Sequence, residues 1–129
     1  MDAPQIECLQ QAIYYEARGE AEPAQFAVVE ATLRRVKDKR WPSTPCEVVY
    51  QPAQYEWAEQ PPVVKEPHSW RIAGDIAQIV LKYGYSASTC ADHWHDISAR
   101  PWWVDYMTLE MQIGKLKFYC SNTEDWGKP

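Results

Sequence analysis

The chain has 129 residues, a formal net charge of −5 and 46% hydrophobic residues, among them 7 Trp and 8 Tyr. That is long and apolar enough for one domain with its own core, which excludes a disordered chain. The acidic balance excludes nucleic-acid binding by bulk electrostatics, and no apolar run reaches the roughly 20 residues that span a bilayer. The start "MDAPQIECLQQ" has neither the basic n-region nor the apolar h-region of a secretory signal.

In chain order, Pro4 suits the first turn of a helix and Gly19 its stop, which predicts a helix over about 4–18. Ile6, Leu9, Ile13 and Glu16 fall on one stripe of it, at i, i+3, i+7 and i+10. A carboxylate on an apolar stripe is costly unless it is paired or used. Burial raises a carboxyl pKa, which is what a general acid near neutral pH requires. The alternative is an ion pair with Arg18, Arg34 or Arg35.

Phe26, Val29, Leu33 and Val36 repeat with the same period and predict a second helix over about 23–38. Its end carries the basic run "RRVKDKR" (34–40), which reads as a solvated helix terminus. Ser43 or Thr44 then caps a short helix with Pro45 at its first position, ending at Tyr50. Residues 51–67 hold four prolines and read as a long loop or a pair of short edge strands. Trp70, Ala73, Ala77 and Val80 or Leu81 mark a helix over about 68–83, ended by Gly84. "CADHWHDIS" alternates and reads as extended. "RPWWVDYMTLEMQIGKLKFYC" reads as a turn, a short helix to about 112, then a strand through Phe118 and Tyr119. Trp102 and Trp103 are neighbours, so at most one faces the core. The expectation is one domain over 1–129, α+β and mostly helical, with a core at about 4–120 and a polar tail at 121–129.

Cys8, Cys46, Cys90 and Cys120 allow three disulfide connectivities, while the missing signal favours reduced thiols. His93 and His95 share one face of an extended segment, with Cys90, Asp92 and Asp96 close in sequence. A lone H-x-H is a weak metal signal, because zinc takes three or four ligands. No metal and no cofactor are expected.

Several motifs point to one family. "CLQQAIYYEARGE", then "QFAVVEATLRRV", "WPSTPCEVVYQ", "QYEW" (54–57), "DHWHD" (92–96), "ARPWW" and "IGKLKFY" (113–119) follow in order over about 8–119. Together they resemble the SleB-type cell-wall hydrolases, the spore-cortex-lytic enzymes and their relatives. The resemblance implies a lysozyme-like fold and cleavage of peptidoglycan glycan strands between MurNAc and GlcNAc. It also implies a single catalytic glutamate, the first of Glu-Ala-Arg-Gly-Glu, which is Glu16 here.

The chain departs from the family pattern at Leu116, where the family has His, at Glu56, where it has Ser, and at Asp92, where it has Thr. A glycosidase acid pair needs a second carboxylate at roughly 5–9.5 Å, and Glu56, Asp92 and Glu20 are the candidates. Without one, Glu16 would act alone as acid and then base, and the sugar's own 6-hydroxyl would give a 1,6-anhydro product, as in a lytic transglycosylase. Gln54, Tyr55, Trp57, His93, His95 and Tyr119 are the candidate sugar-groove residues, since aromatic faces pack on pyranose rings. The resemblance also implies a Cys8–Cys46 bridge and gives no such support to Cys90 and Cys120.

The chain is expected to be a monomer. A small catalytic domain without a signal or wall-binding module is the form of many phage lysis enzymes. The expected setting is therefore a phage endolysin, made in the host cytoplasm and acting in the periplasm or wall. The alternatives are a non-catalytic glycan-binding domain of the same fold and a metal-dependent peptidoglycan amidase using His93 and His95.

Overall fold

The fold is taken from a computed structural model that describes residues 1–52, 54–59, 63–84 and 86–121. Four helices precede a small sheet. Helix α1 (Ala3–Ala17) starts where the Asp2 side chain accepts from the Gln5 N–H, with Pro4 in the first turn, where its missing N–H costs nothing. Helix α2 (Glu22–Lys37) carries Arg34, Arg35 and Lys37 in its last turn, where cations suit the helix dipole. Helix α3 (Pro45–Val49) is capped by Thr44, whose hydroxyl accepts from the Glu47 N–H. Helix α4 (Pro67–Tyr83) turns Ala73, Ile76, Ala77 and Val80 inward and stops at Gly84, whose φ of 73° favours glycine.

The core forms where α1, α2 and α4 pack together. Leu9, Ile13, Tyr14, Val28 and Val29 are fully buried there, each such side chain contributing about 1.5–3 kcal/mol. The Tyr14 hydroxyl accepts from the backbone N–H groups of Lys65 and Glu66 and from Arg18, which fastens the chain before α4 to α1.

Two expectations need correction. The described part of 51–67 contains a 3-10 helix at Glu56–Glu59 rather than edge strands; Ala53 and residues 60–62 lie outside the described residues. Tyr55 and Trp57 stack on each other, and Trp57 stacks on Tyr15 of α1, so the segment is held by rings rather than by strand pairing. The helix expected to run to about 112 is a 3-10 turn at Trp102–Tyr106, followed by strand β2 (Thr108–Ile113). Pairing with β3 (Leu116–Cys120) overrides the local pattern. Most of the expected tail, 122–129, lies outside the described residues.

The sheet runs β1-β3-β2, all antiparallel, with β1 (His93–Asp96) on one edge. Trp94 pairs with Phe118 and Asp96 with Leu116; His93 pairs with Tyr119 and His95 with Lys117. Strand alternation therefore divides the sheet in two. Trp94, Leu116 and Phe118 join the helical core. His93, His95 and Tyr119 occupy the other face, where Trp103 packs on all three. Trp103 is the inward member of its pair, and Trp102 is 70% exposed.

Two disulfides cross the structure. Cys8–Cys46 ties α1 to α3, and Cys90–Cys120 ties the loop before β1 to the end of β3. That loop is also gathered by two carboxylates. Glu30 accepts from Ala87 and Ser88 N–H, and Glu110 from Thr89, Cys90 and Ala91 N–H.

The β2–β3 turn rests on Glu20. Lys115 N–H donates to its carboxylate at 3.3 Å, and a Cβ on Gly114 would stand 2.7 Å from the same group. Gly114 also has a φ of 57°. Gly114→Ala is expected to lose about 1–2 kcal/mol from the left-handed backbone alone, seen as a lower denaturant midpoint at unchanged m-value.

Candidate active site

Glu16 sits in the last turn of α1, one residue before the helix ends. Its stripe-mates Leu9 and Ile13 are fully buried, so the helix brings its carboxyl to the edge of the core. Burial pushes its pKa up from the usual carboxyl range; the Trp94 hydrogen bond, the nearby Trp57 indole and the charge of Arg35 oppose this without cancelling it. The Trp94 indole N–H donates to Glu16 Oε1 at 3.2 Å. The Trp57 indole nitrogen is buried and makes no regular hydrogen bond, yet it lies close enough to favour the Glu16 anion.

None of the three arginines proposed as ion-pair partners binds Glu16 directly. Arg18 pairs with Glu66 at 3.0 Å. Arg34 donates to Ser88 and Ala91. Arg35 is buried, donates to the Asp92 carbonyl and lies over the Trp41 and Trp94 rings. The result is a carboxyl whose pKa burial raises and which has a single well-formed donor among the described residues.

Beside it stands a row of rings. Tyr15 stacks on Trp57 at 4.8 Å, Trp57 on Tyr55 at 5.3 Å, and Tyr55 on Trp94 at 6.1 Å. Burial drives the Tyr55 hydroxyl pKa upward, and the neighbouring Gln54 side chain partly offsets this. Gln54, Tyr55 and Trp57 thus cluster on the Glu16 side.

The other candidates are placed elsewhere. His93 Nδ1 bonds Asp92 Oδ1 at 2.9 Å, and burial lowers the His93 pKa, favouring its neutral form. His95 Nδ1 meets the Asp96 carbonyl at 2.7 Å and its Nε2 meets the Tyr119 hydroxyl at 3.1 Å, so Nδ1 carries the proton and Nε2 accepts. These three residues lie on the sheet face away from Trp94, not in the Glu16 cluster.

Of the possible second carboxylates, Glu56 is exposed at the start of its 3-10 helix. Glu20 supports the hairpin turn. Burial pushes the Asp92 carboxyl up, but bonds from His93 and Ser121 outweigh it and hold it below its usual range. Among the described residues none of the three hydrogen-bonds Glu16. The one group of described His, Cys, Asp and Glu atoms with metal-ligand spacing is Cys90, Glu110 and Cys120, whose sulfurs are joined to each other.

Sequence reading missed Trp94 as the partner of Glu16 and Tyr15 as part of the ring row. The signal for Trp94 was present in "HWH": alternation that puts both imidazoles on one face puts the indole on the other. Trp94→Phe keeps a ring and removes the donor. The Glu16 pKa should then rise further, and the alkaline limb of the activity profile should move to higher pH.

Comparisons with known proteins agree with this fold. The family model described as Cell Wall Hydrolase matches residues 19–119 and so begins just after Glu16. The catalytic domain of the germination-specific lytic transglycosylase SleB from Bacillus anthracis superposes with a TM-score of 0.74 at 22% identity, covering 92% of this chain and 96% of that one. The catalytic domain of the Bacillus cereus SleB protein gives 0.70 at 23% identity, covering 89% and 88%. A search of curated proteins found no match. The chain belongs to the cell wall hydrolase family and has the lysozyme-like fold of the SleB catalytic domains.

Proposed function

We propose that the chain cleaves peptidoglycan glycan strands between MurNAc and GlcNAc as a lytic transglycosylase, with Glu16 as its one catalytic carboxyl. The observation that carries this reading is the half-buried Glu16, whose carboxyl pKa burial raises and which is set against a row of rings suited to sugar faces. Glu16 gives its proton to the glycosidic oxygen as the C1–O bond breaks. The resulting carboxylate takes the proton of the muramic 6-hydroxyl as that oxygen bonds to C1, which closes the 1,6-anhydro ring and returns Glu16 to its starting form. Trp94 favours the anion midway through this cycle. The engagement of Glu20 and Asp92 elsewhere supports one carboxyl over a pair.

Mass spectrometry of digested peptidoglycan tests the reading. Muramic ends lighter by one water are expected. Reducing ends would make the enzyme a muramidase, and cut peptide stems would overturn glycan cleavage altogether.

The two disulfides favour an oxidising space outside the cytoplasm, where the wall lies. Host lysis by a phage is proposed as the setting because a small catalytic domain is the form of many phage lysis enzymes. It is tested by whether cytoplasmic expression lyses bacteria only once the membrane is breached.

A further inference from the structure

The basic run at the end of α2 borders a hollow of about 570 Å³ that the Glu16 site does not use. Its walls carry four cations, Arg34, Lys37, Lys39 and Arg40, against two carboxylates, Asp38 and Asp92. A local surplus of positive charge thus stands out on a chain of net charge −5.

The two guanidiniums are fixed in advance. Arg34 donates to Ser88 Oγ, Ser88 O and Ala91 O, all neutral acceptors, and its charge also acts on the Glu30 carboxylate. Arg40 is held by Asp38, Asp92 and Ser121 and lies over Trp41. Lys37 and Lys39 are exposed and make no ion pair among the described residues. The helix dipole accounts for cations up to Lys37, but Lys39 lies beyond the Asp38 C-cap and needs another reason.

We propose that this hollow is a subsite for the carboxylates of peptidoglycan peptide stems. The proposal rests on the peptidoglycan reading above. A glycan strand carries on its muramic residues short peptides with free carboxylates, and fixed guanidiniums beside exposed ammoniums match such groups. The position fits as well. Asp92 lines the hollow and precedes His93 and Trp94, and Trp94 holds Glu16. The hollow and Glu16 thus both adjoin β1, one at the residue before it and the other through Trp94.

The test is an NMR titration of the Glu16→Gln protein, which cannot consume its ligand, with N-acetylmuramoyl-L-alanyl-D-glutamate. The Lys37, Lys39 and Arg40 signals should move. Binding should weaken about three- to tenfold in a further Lys37→Ala/Lys39→Ala variant, as expected for the loss of two exposed ion pairs, at an unchanged melting temperature. The D-isoglutamine analogue, with one carboxylate fewer, should bind more weakly than the parent compound. Equal binding of the two compounds, no loss in the double variant, or displacement by an equal concentration of inorganic phosphate would overturn the assignment. Cleavage by the wild-type protein is read separately from digest masses, so failure of the subsite and failure of the glycan reading are told apart.

Discussion

Glu16→Gln should lower peptidoglycan turnover by about three orders of magnitude or more, since it removes the group proposed to give and take the proton. The same change should not harm the fold. The folded pKa of Glu16 is raised above its ordinary 4.5. As pH climbs past 4.5, the unfolded chain releases this proton while the folded chain keeps it. The contribution of this carboxyl to stability therefore declines with rising pH, from about 4.5 up to the raised folded value. Glutamine has no proton to lose. At pH 7 the variant should melt at the same temperature as the wild type or higher, and the difference should close below pH 4. Activity on purified peptidoglycan and calorimetry at the two pH values check both halves. A variant that loses activity together with its melting transition would refute the catalytic assignment.

Reduction of both disulfides should produce the largest change in stability. Cys8–Cys46 and Cys90–Cys120 close segments of 38 and 30 residues. A bridge over a loop of that size contributes about 3–4 kcal/mol, chiefly by restricting the unfolded chain. Both together would lower the melting temperature by roughly 12–40 °C at about 2–5 °C per kcal/mol. Melting with and without a thiol reductant measures this. Cys90→Ser/Cys120→Ser separates the two bridges and should also loosen the 87–92 loop, seen as faster amide exchange at Thr89, Cys90 and Ala91.

The helical part of the fold was legible because its signals are local. Pro4, Thr44, Gly19 and Gly84 punctuate the chain, and the apolar spacing of α1 and α4 matches the observed burial, whereas α2 is buried all round from Ala24 to Thr32, with Leu33 and Val36 of its stripe only partly covered. The β2–β3 hairpin was not legible, because Thr108–Ile113 gains its form from partners on β3 rather than from its own pattern. At the site, Glu16 was reached from the stripe on α1. The distribution of the remaining groups depended on tertiary facts no spacing contains. Glu20 supports a turn 94 residues later, Asp92 is taken by Ser121 and Arg40, and β1 divides Trp94 from the two histidines.

The attachments around Tyr14 and Cys8 have a mechanical consequence. The segment bearing Tyr55 and Trp57 is moored at one end through α3 and Cys8–Cys46, and at the other through the Tyr14 hydroxyl at Lys65 and Glu66. Both moorings are on α1, the element that carries Glu16. The Glu16 carboxyl and the stacked rings thus share a single chassis, whereas Trp94 reaches Glu16 from the sheet.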